Sequence, residues 1–120
     1  MYKYHVAPPN QRTIDNIVFA SKLEMNRYLE LKLMVKAGEI RDLQLQPQFE
    51  LQPAFERNGK HYQAITYIGD FAYFDMKTKK RVIEDVKGMA TEVFKIKRKM
   101  FHFLHNMELR IITQTGRLGL

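Results

Sequence analysis

The chain has 120 residues, a hydrophobic content of 45%, a charged content of 28% and a formal net charge of +7. This length and composition predict one soluble globular domain. The absence of cysteine excludes disulfides and thiolate metal sites and fits a cytoplasmic location. With no apolar run near twenty residues and no signal-peptide pattern at the start, neither export nor membrane association is expected.

The excess of positive charge lies in the second half of the chain. Residues 77–110 contain ten Lys and Arg against four Asp and Glu. A concentrated basic surface is typical of proteins that bind a phosphate-bearing partner, above all nucleic acid. A solvated face that only maintains solubility would carry the same charge, so composition leaves both interpretations open.

The first predicted element is a helix that follows a polar, proline-containing start. Residues 1–18 are expected to form a flexible arm. Ser21 and Glu24 then form a capping box, which predicts a helix from Ser21 to Ala37 that Gly38 terminates. Glu24 shares a side of this helix with an apolar row, so it either satisfies its own helix start or presents a carboxylate to a site.

The next region is predicted to be two β-strands. Residues 43–51 alternate apolar and polar side chains, which indicates one strand with one buried face. Pro47 lacks a donor and favours an edge position. Asn58-Gly59 marks a tight turn into a second strand, from His61 to about Phe74.

The stretch Tyr67–Gly88 is predicted to contain a β-hairpin. Two runs rich in aromatic and β-branched residues flank the polar link Lys77–Lys80. Antiparallel pairing across that link is expected to place Asp70 opposite Lys87. Because side chains alternate between faces, Asp70, Asp85 and Lys87 should share one face of the ribbon.

A second helix is predicted from about Met89–Thr91 to Asn106, followed by a strand at Glu108–Thr113. The expected buried side of the helix comprises Val93, Ile96, Met100, Phe103 and Leu104. A basic ridge at spacings of three and four comprises Lys95, Arg98, Lys99 and His102. Thr91 could bind a phosphate at the helix start, although N-capping explains it equally well. His102 and His105 lie three apart but have no evident third zinc ligand, so ordinary surface histidines are expected.

The element order is helix, three strands, helix, strand, which predicts an antiparallel meander followed by a right-handed parallel crossover. The expected fold is therefore an α+β (α/β) mixed sheet flanked by helices, with a domain over residues 19–114 and a tail over 115–120.

The acidic and basic residues of the hairpin suit phosphodiester hydrolysis, which needs charge stabilisation and an activated water. Mg²⁺ supplies both and takes one or two carboxylates, and Asp70 and Asp85 meet that demand. The Val86 carbonyl is a further candidate oxygen ligand, and Lys87 could orient the water or neutralise the phosphorane. A surface ion-pair cluster is the alternative. Apolar neighbours such as Phe71 indicate partial burial, which favours a functional cluster.

Four segments then carry a family resemblance. In order they are Phe19-Ala20-Ser21-Lys22-Leu23-Glu24, Leu43-Gln44-Leu45-Gln46-Pro47-Gln48-Phe49, Asp70-Phe71 and Glu84-Asp85-Val86-Lys87-Gly88. This pattern resembles the PD-(D/E)XK nuclease superfamily, in particular a group of small phage and prophage proteins assigned to it, uncharacterised or resolvase-like. It covers residues 19–113, and Gly69 stands where the superfamily's name has proline.

The resemblance implies an αβββαβ, restriction-endonuclease-like core and a Mg²⁺-dependent DNA endonuclease, with Mn²⁺ as a substitute. Asp70, Asp85, the Val86 carbonyl and Glu24 would be metal ligands, and Lys87 the catalytic lysine. Glu84 is a rival to Asp85, but the two-residue spacing to Lys87 favours Asp85.

The resemblance also implies a biological setting. The substrate would be branched or structured DNA in phage recombination or DNA processing, in the cytoplasm of the host cell. Thr91 and the basic ridge would contact DNA, and a homodimer or phage replication or packaging proteins would be partners. The alternative is a catalytically inactive DNA-binding or assembly factor that retains the nuclease fold.

Overall fold

The computed structural model of the chain describes residues 6–114 and 116–118, the last three by their backbone alone. A 3₁₀ turn at Pro9–Gln11 precedes two α-helices, α1 (Lys22–Lys36) and α2 (Glu92–Leu104). The strands are β1 (Thr13–Ile14), β2 (Ile17–Val18), β3 (Ile40–Leu45), β4 (Gln48–Gln52), β5 (Phe55–Arg57), β6 (Lys60–Tyr62), β7 (Ile65–Ile68), β8 (Phe71–Asp75), β9 (Lys80–Val86), β10 (Glu108–Thr113) and β11 (Gly116–Leu118).

The segment expected to be a flexible arm is ordered over residues 6–18. β1 and β2 pair as an antiparallel hairpin, and Ile14 and Ile17 pack against the core. The Arg12 guanidinium fastens both sides of this segment, donating to the carbonyls of Ala7 and Phe19. The apolar residues of this segment, Ile14 and Ile17, are too few to form a recognisable pattern, so the sequence did not predict that it packs against the core. Residues 1–5 of the expected arm lie outside the described residues.

Helix α1 has the boundaries that its capping signals predict. The Ser21 hydroxyl accepts the Glu24 N–H at 3.1 Å, and Ala37 is the C-cap. Gly38 follows with φ +77°, the left-handed conformation in which a residue without a Cβ is favoured. Tyr28 and Leu31 are buried on the side that faces the sheet.

The main sheet has five strands in the order β11-β10-β9-β8-β3. β3, β8 and β9 are antiparallel neighbours, whereas β9 and β10 are parallel and are joined through α2. The predicted α+β class, the mixed sheet and the parallel crossover are thus confirmed. β11 pairs with β10 over residues that were expected to be a tail, and residues 115, 119 and 120 of that tail lie outside the described part.

An inserted set of short strands separates β3 from β8. The strand predicted over residues 43–51 is split at Gln46, which has φ +50°, and at Pro47. β3 stays at the edge of the main sheet while β4 leaves it to pair with β7. The strand predicted from His61 to Phe74 is likewise three strands, β6, β7 and β8. The predicted Asn58-Gly59 turn is present, with φ +53° and +76°.

Two apolar cores lie on opposite faces of the main sheet. α1 covers one, where Tyr28 and Leu31 of the helix pack with Phe71 of β8, and α2 covers the other. The predicted buried side of α2 is wrong. Val93, Ile96, Phe103 and Leu104 are exposed, and Met100 is half-buried. Phe94 and Phe101, seven residues apart, face the sheet instead, because the apolar arc of α2 is wider than the face the sheet covers.

Within the described residues, neither helix combines the length and apolar character that crossing a membrane requires.

Candidate functional site

The site is built where β8 begins and β9 ends. Phe71 pairs with Glu84 and Asp75 with Lys80, so the register differs by two residues from the prediction that placed Asp70 opposite Lys87. The turn is centred one residue earlier than the polar link suggests. A shift of two leaves every side chain on its predicted face, because the side-chain period of a strand is two. Asp70 is consequently brought beside Asp85.

Backbone hydrogen bonds fix the position of Asp70. Its N–H donates to the Glu84 carbonyl at 2.9 Å, and its Oδ2 accepts the Val86 N–H at 2.7 Å. Gly69 makes this approach possible, because a Cβ there would lie 2.8 Å from a methyl carbon of Ile83. Backbone groups of Glu84 and Val86, at the end of β9, therefore fix the position of Asp70.

Asp85 is 3% exposed and is held from two directions. The Lys87 ammonium lies 3.1 Å from its Oδ1, and the Tyr67 hydroxyl donates to its Oδ2. The same ammonium lies 4.3 Å from the centre of the Phe94 ring, a cation–π distance. Lys87 remains partly open to solvent, with 29% of its side chain exposed.

Burial and neighbouring charge raise the pKa of Asp70 to about 7. Desolvation is the largest cause, followed by the negative charge of Asp85, and Glu24 adds to the effect. The Val86 N–H works in the opposite direction because it stabilises the charged form. Asp70 and Asp85 directly adjoin the paired residues Phe71 and Glu84, so they are cross-strand neighbours at the end of the ribbon.

Glu24 approaches the same site from the first turn of α1. Its pKa is raised by burial and then by the charge of Asp85, while Lys87 lowers it. The backbone of Glu24 is capped by Ser21, and its carboxylate is close enough to the cluster for its charge to act on Asp70 and Asp85. Across residues 6–114 and 116–118, no three His, Cys, Asp or Glu side chains form a group arranged to hold a metal ion.

Glu84 lies on the opposite face of β9 and is fully buried. Its two oxygens accept from Arg27 Nε at 2.8 Å and Nη2 at 2.6 Å, and the Tyr73 hydroxyl donates to it as well. This bidentate pair satisfies Glu84 within the α1 core. Of the two adjacent carboxylates, Asp85 is thus the one that faces Lys87 and Asp70.

Two residues that complete these faces were not predicted from the sequence. Tyr67 binds Asp85, and Arg27 neutralises Glu84. Arg27 follows Glu24 by three residues on α1, a spacing that places both on neighbouring parts of one helix side. That spacing was the available signal for Arg27, whereas Tyr67 comes from an inserted strand whose pairing the sequence did not predict.

The predicted basic ridge lies along the solvent side of α2. Lys95, Lys99 and His102 are exposed, and Lys95 pairs with Glu92 at 3.1 Å. Arg98 lies 5.7 Å from the Phe94 ring centre, so this ring has both Arg98 and Lys87 near it. The ridge is therefore adjacent to the carboxylate cluster.

Thr91 and the histidines have local roles. The Thr91 hydroxyl caps α2 by accepting the Phe94 N–H at 3.1 Å. His105 packs against the rings of Phe49 and Phe101, whereas His102 is exposed. The two imidazoles thus occupy different environments and form no zinc site in the described chain.

Fold and site together define an α+β protein in which the half-buried Asp70, the buried Asp85 and the partly exposed Lys87 lie at the end of a mixed sheet. Over residues 1–118 the chain matches the family described as "Protein of unknown function (DUF1064)", and it belongs to that family. None of the curated proteins compared with the chain matches it.

Proposed function

We propose that this protein is a Mg²⁺-dependent endonuclease that hydrolyses phosphodiester bonds in DNA. The observation that carries the proposal is the placement of Asp70, whose Oδ2 accepts the Val86 N–H at 2.7 Å, across the strand pair from Asp85, whose Oδ1 lies 3.1 Å from the Lys87 ammonium. The α-β-β-β-α-β order of the main sheet and its helices is consistent with the nuclease resemblance of the sequence.

The donor set fits a hard divalent cation. Mg²⁺ prefers oxygen ligands and binds through one or two carboxylates while retaining waters, so a third acidic ligand is not required. The pKa of Asp70 is raised by burial and then by the negative charge of Asp85, and a bound cation would oppose both effects by favouring the ionised carboxylate. The N–H and C=O of a strand residue point to the same neighbour, so the Val86 carbonyl faces Asp70 as its N–H does.

Each residue then has a separate task. Asp70 and Asp85 would hold the ion, with the Val86 carbonyl beside them. The bound ion supplies Lewis-acid stabilisation of a phosphoryl oxygen and a more acidic water. Lys87 forms an ion pair with Asp85 and is partly exposed to solvent. Its ammonium could therefore bind a phosphate or orient a water beside Asp85. Glu24 lies close enough for its charge to act on Asp70, so its carboxylate would add to the attraction for a cation.

The surroundings of the site suit a polyanionic substrate. The exposed Lys99 and His102, together with Lys95 and Arg98, would contact phosphates on either side of the cut. Such contacts release counterions, so binding should weaken as salt increases.

The test is a cleavage assay with purified protein on branched, linear duplex and single-stranded DNA, in Mg²⁺ or EDTA. We expect Mg²⁺-dependent cutting that falls by about a hundredfold or more in Asp85→Asn and Lys87→Met, the scale typical of losing one catalytic group. Asp42→Asn is the matched control, because Asp42 is an exposed carboxylate with φ +57° that Asn tolerates.

The assay also separates the alternatives. Salt-sensitive DNA binding without cutting under any condition would favour an inactive DNA-binding or assembly factor. Cutting that survives Asp85→Asn unchanged would exclude this cluster as the active site.

A further inference from the structure

The β5–β6 hairpin is a second candidate binding element. Its six strand residues are all exposed, and they pair with each other across the Asn58-Gly59 turn. Phe55 pairs with Tyr62, and their rings stack with centroids 4.8 Å apart and planes within 7°. A two-stranded hairpin is marginal in water, and this stacked pair stabilises it. Phe55 is nevertheless 41% exposed and Tyr62 40%.

The basic residues Arg57 and Lys60 lie on one face of this hairpin, and the acidic residue Glu56 lies on the other. Arg57 pairs with Lys60, and alternation places both on the same face as the two aromatic rings. Glu56 and His61 share the other face, where His61 Nδ1 lies 3.7 Å from Glu56 Oε2. We call Phe55, Arg57, Lys60 and Tyr62 the hairpin face. The Lys60 ammonium lies 5.1 Å from the Tyr62 ring centre, so the cations border the aromatic surface.

The combination of exposed rings and cations matches the chemistry of single-stranded nucleic acid. Bases stack on aromatic side chains, and nearby Arg and Lys bind the phosphates between them. A cross-strand pair that only stabilised the hairpin would not need two cations beside it and the acidic residue on the other face. The +7 charge of the chain favours the same partner.

The hairpin is joined to the carboxylate cluster through β7. Tyr62 precedes Asp70 by eight residues, and β7 is fixed to α2 by the Lys97 ammonium, which donates to the Thr66 carbonyl at 2.9 Å. Eight extended residues span at most about 26 Å. That length corresponds to roughly eight nucleotides at about 3.4 Å per base step.

We propose that the hairpin face binds an unpaired stretch of DNA, stacking a base on the Phe55–Tyr62 pair and contacting phosphates through Arg57 and Lys60. The position of this stretch, within about eight nucleotides of the cut, rests on the proposed nuclease function. The proposed binding of unpaired DNA to the hairpin face does not depend on the nuclease function. The substrate class assigned to the site is accordingly DNA that joins duplex to single strand, as at a flap or branch.

Fluorescence anisotropy in EDTA tests the proposal, using a labelled duplex with a single-stranded extension and the same duplex with blunt ends. We expect the double variant Arg57→Gln/Lys60→Gln to reduce the slope of log affinity against log salt by about 1.4, about 0.7 for each phosphate contact to a single strand. The matched control is Lys36→Gln/Lys77→Gln, which removes the same charge from two exposed positions, one at the end of α1 and one just after β8. It should change the slope by less than half as much.

Tyr62→Leu tests the stacking separately. It should weaken binding to the extended duplex about tenfold and leave the blunt duplex within about twofold, whereas Tyr62→Phe should retain both affinities. Circular dichroism melting of every variant verifies the fold. Equal losses in the hairpin and control double variants, or equal effects of Tyr62→Leu on both DNAs, would overturn the proposal.

Cleavage measured in parallel distinguishes the two proposals. If Mg²⁺-dependent cutting persists while the hairpin variants bind like wild type, the hairpin inference fails alone. If binding depends on the hairpin but no DNA is cut, the nuclease proposal fails and the hairpin inference stands.

Discussion

Asp70→Asn should stabilise the metal-free protein at alkaline pH and should abolish the proposed Mg²⁺-dependent cleavage. The pKa of Asp70 is about 7 in the folded protein against an ordinary value of 3.8. A raised pKa means that the folded state binds the proton more tightly than the unfolded chain does. The stability due to this group is therefore complete below about pH 4 and is lost as the pH rises through about 7.

The size of the effect follows from the shift. Three pKa units correspond to about 4 kcal/mol at 1.36 kcal/mol each, and partial solvent access reduces this to about 2 to 4 kcal/mol. Asn cannot ionise, and its side-chain oxygen can still accept the Val86 N–H. The free energy of unfolding of the variant should thus exceed that of wild type by about 2 to 4 kcal/mol at pH 8 and by much less at pH 5.

Urea unfolding in EDTA at both pH values measures the difference, and repeating it with Mg²⁺ should stabilise wild type more than the variant. Asp42→Asn, the exposed control, should show no pH-dependent gain. A variant that is less stable than wild type at pH 8, or a gain that is the same at pH 5, would refute the charge argument.

Three further substitutions test the framework of the site by urea unfolding. Arg27→Met should cost about 3 to 5 kcal/mol, because it leaves Glu84 buried without its charge partner, and a loss below 1 kcal/mol would contradict that pairing. Gly69→Ala should cost about 1 to 3 kcal/mol and lower cleavage as well, because its Cβ would lie 2.8 Å from an Ile83 methyl carbon; unchanged stability and activity would show that the strand can move freely. Ser21→Ala should lower the free energy of unfolding by about 1 kcal/mol through loss of the N-cap, whereas Ser21→Asp should retain most of the stability that the cap contributes.

The features that the sequence predicts well are those decided by local chemistry. Ser21 caps α1, Gly38 follows its end, and Asn58-Gly59 forms a turn, because each depends on hydrogen bonds or φ angles within a few residues. The face on which Asp70, Asp85 and Lys87 lie is equally robust, because a register shift of two residues does not alter it.

The failures arise where several structures satisfy one pattern. The alternation of residues 43–51 continues across the break at Gln46, so period alone could not separate β3 from β4. On α2, Phe101 is fully buried and Phe103 is 88% exposed, although both belong to one apolar arc. Which part of that arc meets the sheet is determined by tertiary packing.

The adjacent carboxylates Glu84 and Asp85 lie on opposite faces of β9 and differ in how their charge is compensated. Glu84 is neutralised by a bidentate guanidinium and has no further need of a cation. Asp85 pairs with the Lys87 ammonium, and the negative charges of Asp85 and Glu24 add to burial in raising the pKa of Asp70, so the acidic groups outnumber the ammonium in this part of the structure. Burial makes that imbalance costly, and the cost is expressed as the raised pKa of Asp70. A fold that provides full compensation for Glu84 on one face could provide it on the other, and the remaining negative charge is what a divalent cation would neutralise.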